Sequence, residues 1–402
     1  MIRRTLATAL TFALAAGVVA TIAAAPAAAT LSVHADDTWQ VNGVVFAVVR
    51  SGNTIYLGGE FTRVSACNPE TSCPTKSLAV SNLAAIDATS GAAVTSFHPM
   101  VTGSDSTVYA LAAFGGKLFV GGGFTAVDGT ARRNFAAVDP ATGALDPNVD
   151  AAVGLNNGDK IRGMVASSAR LYVSGGFTQI DGASRRHLAA FDASGDLDPT
   201  WRPKTDGQTH TVALTCDGSS VIAGGGFRDA GGSGTPTQPR FGLAMFDATT
   251  GALDAWGPVP GQLPDHAPPY DLAMTCDRLF VGTGGSNRIF ALDLTDDAGN
   301  LLWMLSMYGN AQAVALRGDR LLVGGHFDWV PDIRTGEQIT RLHFCVLDLD
   351  GHLQNDWVPS FHGKIRTGVW DILVTGSQIY VAGGYATVSN DRRWGIARFT
   401  DV

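Results

Sequence analysis

The 402-residue chain carries 28 Lys and Arg against 36 Asp and Glu, a formal net charge of −8, with 16% charged residues and 49 glycines. Its basic residues form no block, which argues against a nucleic-acid partner, because phosphate binding needs clustered positive charge. Long amphipathic helical patterns are missing while glycine abounds, so the composition favours an all-β protein of short strands and tight turns.

At the N-terminus, Arg3 and Arg4 precede an apolar run from about Leu6 to Ile22, and small residues follow up to Ala29. This pattern reads as a secretory signal peptide over residues 1–29, leaving a secreted mature chain with no membrane insertion. A spanning helix is the competing reading, but the Ala-rich run is short for a bilayer and leads into Pro26. No Cys near Ala29 offers a lipid-anchor site, and the arginine pair leaves the export route open. Removing the two arginines takes the charge to about −10, spread along the chain.

Five cysteines suit an exported protein with a few disulfides. Cys67 and Cys73 bracket the polar segment Asn-Pro-Glu-Thr-Ser and are expected to pair. Cys216 and Cys276 each occur as Thr-Cys-Asp, while Cys345 sits in an apolar run, and their pairing stays open. No metal site is expected: the histidines at 210, 326, 343 and 362 stand apart, and Asp296-Asp297 lacks a full calcium-binding loop. No cofactor is implied.

The stretch from Phe119 to Gly129, FVGGGFTAVDG, resembles a phosphate loop until its copies are found. Equivalent glycine motifs begin at Gly58, Gly121, Ser174, Gly224, Gly282, Gly324 and Ala382, spaced 42 to 63 residues apart. A strand and a loop follow each motif, whereas a phosphate loop needs a helix whose N-terminus meets the anion. Each repeat has an apolar strand, a turn, a strand entering the glycine motif, a variable loop, a third strand ending in Asp, and often a fourth reading Asp-x-x-Trp. Seven such units predict a single seven-bladed β-propeller over residues 30–402, with four-stranded blades. The last repeat lacks its fourth strand, and residues from about Leu31 to Val41 match one, so the N-terminal strand is expected to complete the last blade.

The Gly-Gly-x-Phe-Thr strand ends (Gly58 to Thr62, Gly121 to Thr125, Gly175 to Thr178) and the Arg-x-x-Leu-Ala pattern from Arg185 to Ala190 carry a resemblance. The chain resembles the delta-60 repeat family of secreted bacterial propellers, related in pattern to fungal cell-surface polarity landmark proteins. The resemblance implies a fold and transfers no catalytic residue.

Repetition in register assigns Arg132, Arg185, Arg240, Arg341 and Arg393 to structural pairing, and the strand-ending aspartates to turns. Departures from the repeat are more informative. Eleven residues before each glycine motif stand Ala47, Ala110, Gly163, Ala213, Asp271, Ala313 and Asp371. The positions just before them read Phe46, Tyr109, Arg162, Val212, Tyr270, Gln312 and Trp370. Tyr109, Tyr270 and Trp370 suit sugar stacking, with Arg162 and Gln312 as polar contacts. Asp271 and Asp371 are candidate acid/base or cation ligands, with backbone hydrogen bonding as the structural alternative. The loops after the glycine motifs vary in length, shortest in repeat 5, and the longer loop of repeat 6 presents Trp329.

These features lead to a monomeric, non-catalytic binding or scaffold module whose partner is a protein or a cell-envelope polysaccharide. A glycan hydrolase or lyase using Asp271 and Asp371 is the alternative.

Overall fold

A computed structural model describes residues 31–66, 76–103, 105–156, 158–258, 261–263, 267–363 and 368–401. The expected signal peptide, and Cys67 with Cys73, lie outside the described residues. Among those described, the architecture is all-β without helices, consistent with a β-propeller, and no helix is long and apolar enough to cross a membrane.

Seven larger antiparallel sheets follow the sequence repeats, each in the order first, second, third strand. In repeat 1 these are Val44–Ser51, Thr54–Glu60 and Leu83–Asp87. The corresponding first strands are Thr107–Phe114, Ile161–Ala166, Thr209–Leu214, Pro269–Met274, Ala311–Arg317 and Val369–Thr375. Each first strand packs on the next, and that of repeat 7 returns to that of repeat 1. Among the described residues only repeat 5 adds a fourth ladder strand, Leu301–Ser306.

Close approach of neighbouring sheets explains the glycine motif. A Cβ built on Gly58 would lie 2.5 Å from Val108 Cγ1 of the next repeat, which no real packing tolerates. The interior between sheets is apolar, as in the cluster of Phe119, Phe135, Ile161, Val173, Phe177 and Phe191. Polar hooks cross the same seams: Trp201 Nε1 donates to the Asp247 carbonyl at 3.1 Å, and Trp256 Nε1 to that of Asp293 at 3.0 Å. Tyr380 of repeat 7 and Arg398 Nη1 both donate to the Ala88 carbonyl of repeat 1.

The N-terminal segment divides its contacts. Leu31 bridges Asp401, and the Asp36 amide donates to the Arg398 carbonyl at 2.8 Å, placing this part along the third strand of repeat 7. Gln40–Val41 instead pairs with Val64 and Ser65 in the loop hairpin of repeat 1.

The recurrent arginines are structural in five copies. Arg132 Nη2 donates to the Pro147 carbonyl, Arg185 Nη2 to that of Asp198 and Arg240 Nη2 to that of Asp254, while Arg341 meets Asn355 and Arg393 meets Asp37. The first four tie their loops to the segment after the third strand, and Arg393 ties its loop to the N-terminal segment. Strand-ending aspartates form turns: Asp139 accepts from the amides of Ala141 and Thr142, Asp247 from Thr249 and Thr250. These hydrogen bonds hold both carboxyls below their ordinary range.

A disulfide joins Cys216 to Cys276, stapling the first hairpin turn of repeat 4 to that of repeat 5. Cys345 is buried and free, its thiol pushed up to about 12 by burial.

Candidate functional site

Every first strand carries a β-bulge near its start, for example between Val45 and Ala47 where the partner strand advances only from Gly59 to Gly58. A bulge leaves one residue unpaired and re-aims its side chain. The seven bulge residues are Phe46, Tyr109, Arg162, His210, Tyr270, Gln312 and Trp370. All seven line one cavity of about 340 Å³.

Repeat 4 requires a correction to the spacing rule. Thr211, not Ala213, pairs with Gly224, so His210 rather than Val212 occupies the bulge. The cause is hairpin length. The turn between Leu214 and Val221 is two residues longer than the one between Met274 and Leu279 in repeat 5, so a fixed offset from the glycine motif misses the register. Val212 instead enters the apolar core.

The cavity wall is largely aromatic. Phe46 contacts Tyr109 and Trp370 with ring centroids 5.2 and 5.1 Å apart, and His210 lies 4.9 Å from Tyr270. The Arg162 guanidinium sits 5.7 Å from the Tyr109 centroid and Lys160 5.3 Å from it. Gln312 Oε1 accepts from Nδ1 of His326, which stands in the glycine motif at a position where repeats 2, 3, 4, 5 and 7 have glycine. His326 meets Trp370 edge-on at 4.9 Å. Sequence reasoning passed over His326 as an isolated histidine; its departure from that glycine was the available signal.

Two polar atoms in this wall, Arg162 Nε and His210 Nδ1, are buried without a hydrogen-bond partner. Burial, reinforced by the Arg162 charge, holds the His210 imidazole down to about 4. Burial likewise holds His326 to about 4, with His343 adding repulsion. Both rings are therefore neutral near pH 7.

Tyr270 owes its place to a glycine. A Cβ on Gly284 would fall 2.0 Å from Tyr270 Cε2, so only a bare backbone admits the phenol ring there.

Asp271 and Asp371 directly follow the bulge residues of repeats 5 and 7. Asp271 Oδ2 accepts from the Val314 amide of repeat 6 at 2.8 Å, and its Oδ1 from the Leu272 amide at 2.9 Å. Asp371 Oδ2 accepts from the Val48 amide of repeat 1 at 2.7 Å. Each carboxylate thus binds the neighbouring first strand. Burial, then repulsion from Asp371, pushes Asp271 up to about 7, and burial pushes Asp371 up to about 6. The two are electrostatic neighbours.

Trp329 is placed elsewhere. It pairs with Thr340 in the loop hairpin of repeat 6 and stacks on Tyr308 with centroids 5.5 Å apart and planes 10° apart. It does not line the cavity. The described residues contain no group of three His, Cys, Asp or Glu placed to hold a metal.

Residues 170–200 match the model of a family described as a β-propeller domain of unknown function, DUF5122. That match supports a β-propeller repeat. No curated protein matches the chain. Among solved structures, the computationally designed protein Ika8 is similar over 91% of this chain and 100% of its own, with a TM-score of 0.50 and 13% identity. At that identity the similarity concerns the fold alone.

Proposed function

We propose that this chain is a secreted seven-bladed propeller of the delta-60 repeat type that acts as a binding module, taking a cell-envelope glycan at the mouth of its central channel. The observation that carries this reading is the convergence of seven bulge residues, one from each repeat, on a single cavity lined by aromatic faces and unpaired polar atoms. Sugars present apolar ring faces to aromatics and hydroxyls to donors such as Arg162 and Gln312, and this wall offers both. The return of the N-terminal segment to repeat 7, with Trp357 Nε1 donating to the Ser32 carbonyl at 2.9 Å, supports a blade completed from the other end of the chain.

A screen of purified envelope glycans by calorimetry tests the reading. At least one neutral glycan should bind, and Tyr270→Ala and Trp370→Ala should each weaken it by about 5- to 30-fold, the loss of about 1–2 kcal/mol of stacking and burial. Absence of binding to every neutral glycan, or affinity untouched in both variants, overturns it.

The alternative is a glycan hydrolase or lyase, favoured by one observation: Asp271 and Asp371 are coupled and raised to about 7 and 6, the range of a general acid. Against it stands their use as acceptors for the amides of Val314 and Val48. Turnover of a bound glycan that disappears in Asp271→Asn and Asp371→Asn would favour the enzyme; unaltered glycan on prolonged incubation favours the binding module.

A further inference from the structure

A cavity of about 590 Å³ lies away from the ring of bulge residues, between repeats 3 and 4. Ser184, Arg185 and Arg186, the segment from Arg202 to Asp206, and Pro236 with Thr237 line it. A second hollow of about 450 Å³ shares Ser184, Arg186, Thr205 and Asp206 with it, so the two make one continuous trough.

Its charge runs against the chain as a whole. Arg185, Arg186, Arg202 and Lys204 line the larger cavity with Asp206 as the only carboxylate, in a protein of net charge −8. Arg185 is committed to the carbonyls of Ser184 and Asp198, and Asp206 Oδ1 to the amides of Arg228 and Asp229. The side chains of Arg186, Arg202 and Lys204 have neither ion pair nor hydrogen bond among the described residues. The cations also repel one another: after burial, Arg202 is the next cause lowering Arg185, and Arg186 adds to the lowering of His187. Asp198 offsets part of the repulsion at Arg185, but three cations without a hydrogen-bonded or ion-paired partner gathered in a concave site favour oxyanions.

The rest of the lining narrows the class. Thr178, Gln179, Ser184 and Thr237 offer hydrogen bonds suited to hydroxyl groups. His187 is the only aromatic side chain among the lining residues of the two hollows, so nucleobases find no extended stacking platform. We propose that the trough between repeats 3 and 4 binds an acidic glycan, its carboxylate or phosphodiester groups held by Arg186, Arg202 and Lys204. This site is separate from the aromatic ring, and neither proposal depends on the other.

The experiment measures binding of a polyuronate, a poly(glycerol phosphate), neutral dextran and duplex DNA at low and physiological salt. The wild type and Arg186→Gln/Arg202→Gln/Lys204→Gln are compared, with Tyr270→Ala as a control for the ring. The three substituted side chains make no described contact beyond van der Waals packing, so the variant should keep the wild-type melting temperature. Binding of the polyuronate, the poly(glycerol phosphate) or both, weakened at least tenfold in the triple variant and unchanged in Tyr270→Ala, is expected; which polymer binds identifies the anion. Failure of both acidic glycans to bind, equal binding by the triple variant, or tighter binding of DNA than of either glycan overturns the proposal.

Discussion

Two adjacent positions in each first strand behave differently. The bulge position holds Phe, Tyr, Arg, His, Tyr, Gln and Trp; the position after it holds Ala47, Ala110, Gly163, Thr211, Asp271, Ala313 and Asp371. The first faces a cavity, where a large side chain meets solvent or ligand and its chemistry is free to vary. The second faces the neighbouring first strand. At Gly163 an added Cβ would lie 3.0 Å from Thr211 Cα and 3.1 Å from the His210 carbonyl oxygen, so that seam admits small side chains. Aspartate is admitted twice because its oxygens accept amides that the seam presents. One position is open to selection for binding, and the other is closed by packing.

A third carboxylate in the packed layer is the harshest test of this contrast. Ala313→Asp, between Asp271 of repeat 5 and Asp371 of repeat 7, should destabilise by about 3–5 kcal/mol, because an acid at this fully buried position must be desolvated beside two half-buried, raised ones. A urea midpoint within error of wild type would show that the layer is wetter than its burial implies. A smaller effect belongs to Gly284→Ala. The added methyl displaces the Tyr270 ring, with an overpacking cost of about 1–3 kcal/mol and loss of glycan affinity equal to that of Tyr270→Ala. Retained affinity would mean that Tyr270 need not occupy its place in the ring.

A third test uses pH. Asp271 rises from an ordinary 3.8 to about 7, so between those values the native state holds more protons than the unfolded chain. Its contribution to stability therefore falls as pH rises from 3.8 to about 7. Asp271→Asn removes that fall. His210 and His326, depressed to about 4 from 6.5, act in the opposite sense, losing stability as pH falls through that window, but they are common to both proteins. The difference in unfolding free energy should move in the variant's favour by about 2–4 kcal/mol between pH 4 and 8. A pH-independent difference would place the Asp271 carboxyl in water.

Amino-acid order by itself determined the repeat: apolar strands, glycine motifs and Asp-ended third strands recur because each sheet solves the same local packing problem. It also made Tyr109, Arg162, Tyr270, Gln312 and Trp370 stand out, since residues that break a repeat are visible in one dimension. Only the tertiary structure decided that His210 and not Val212 joins them, because register follows hydrogen-bond pairing across a hairpin whose length differs in repeat 4. It alone paired Cys216 with Cys276 and set His326 against Gln312. The cations of the basic trough lie close together in the sequence, within residues 185–204, but they alternate there with Asp192, Asp196 and Asp198, and the Pro236 and Thr237 segment joins them only when repeats 3 and 4 pack side by side. Strand periodicity is local and legible, whereas a cavity wall is assembled from segments whose proximity exists only after folding.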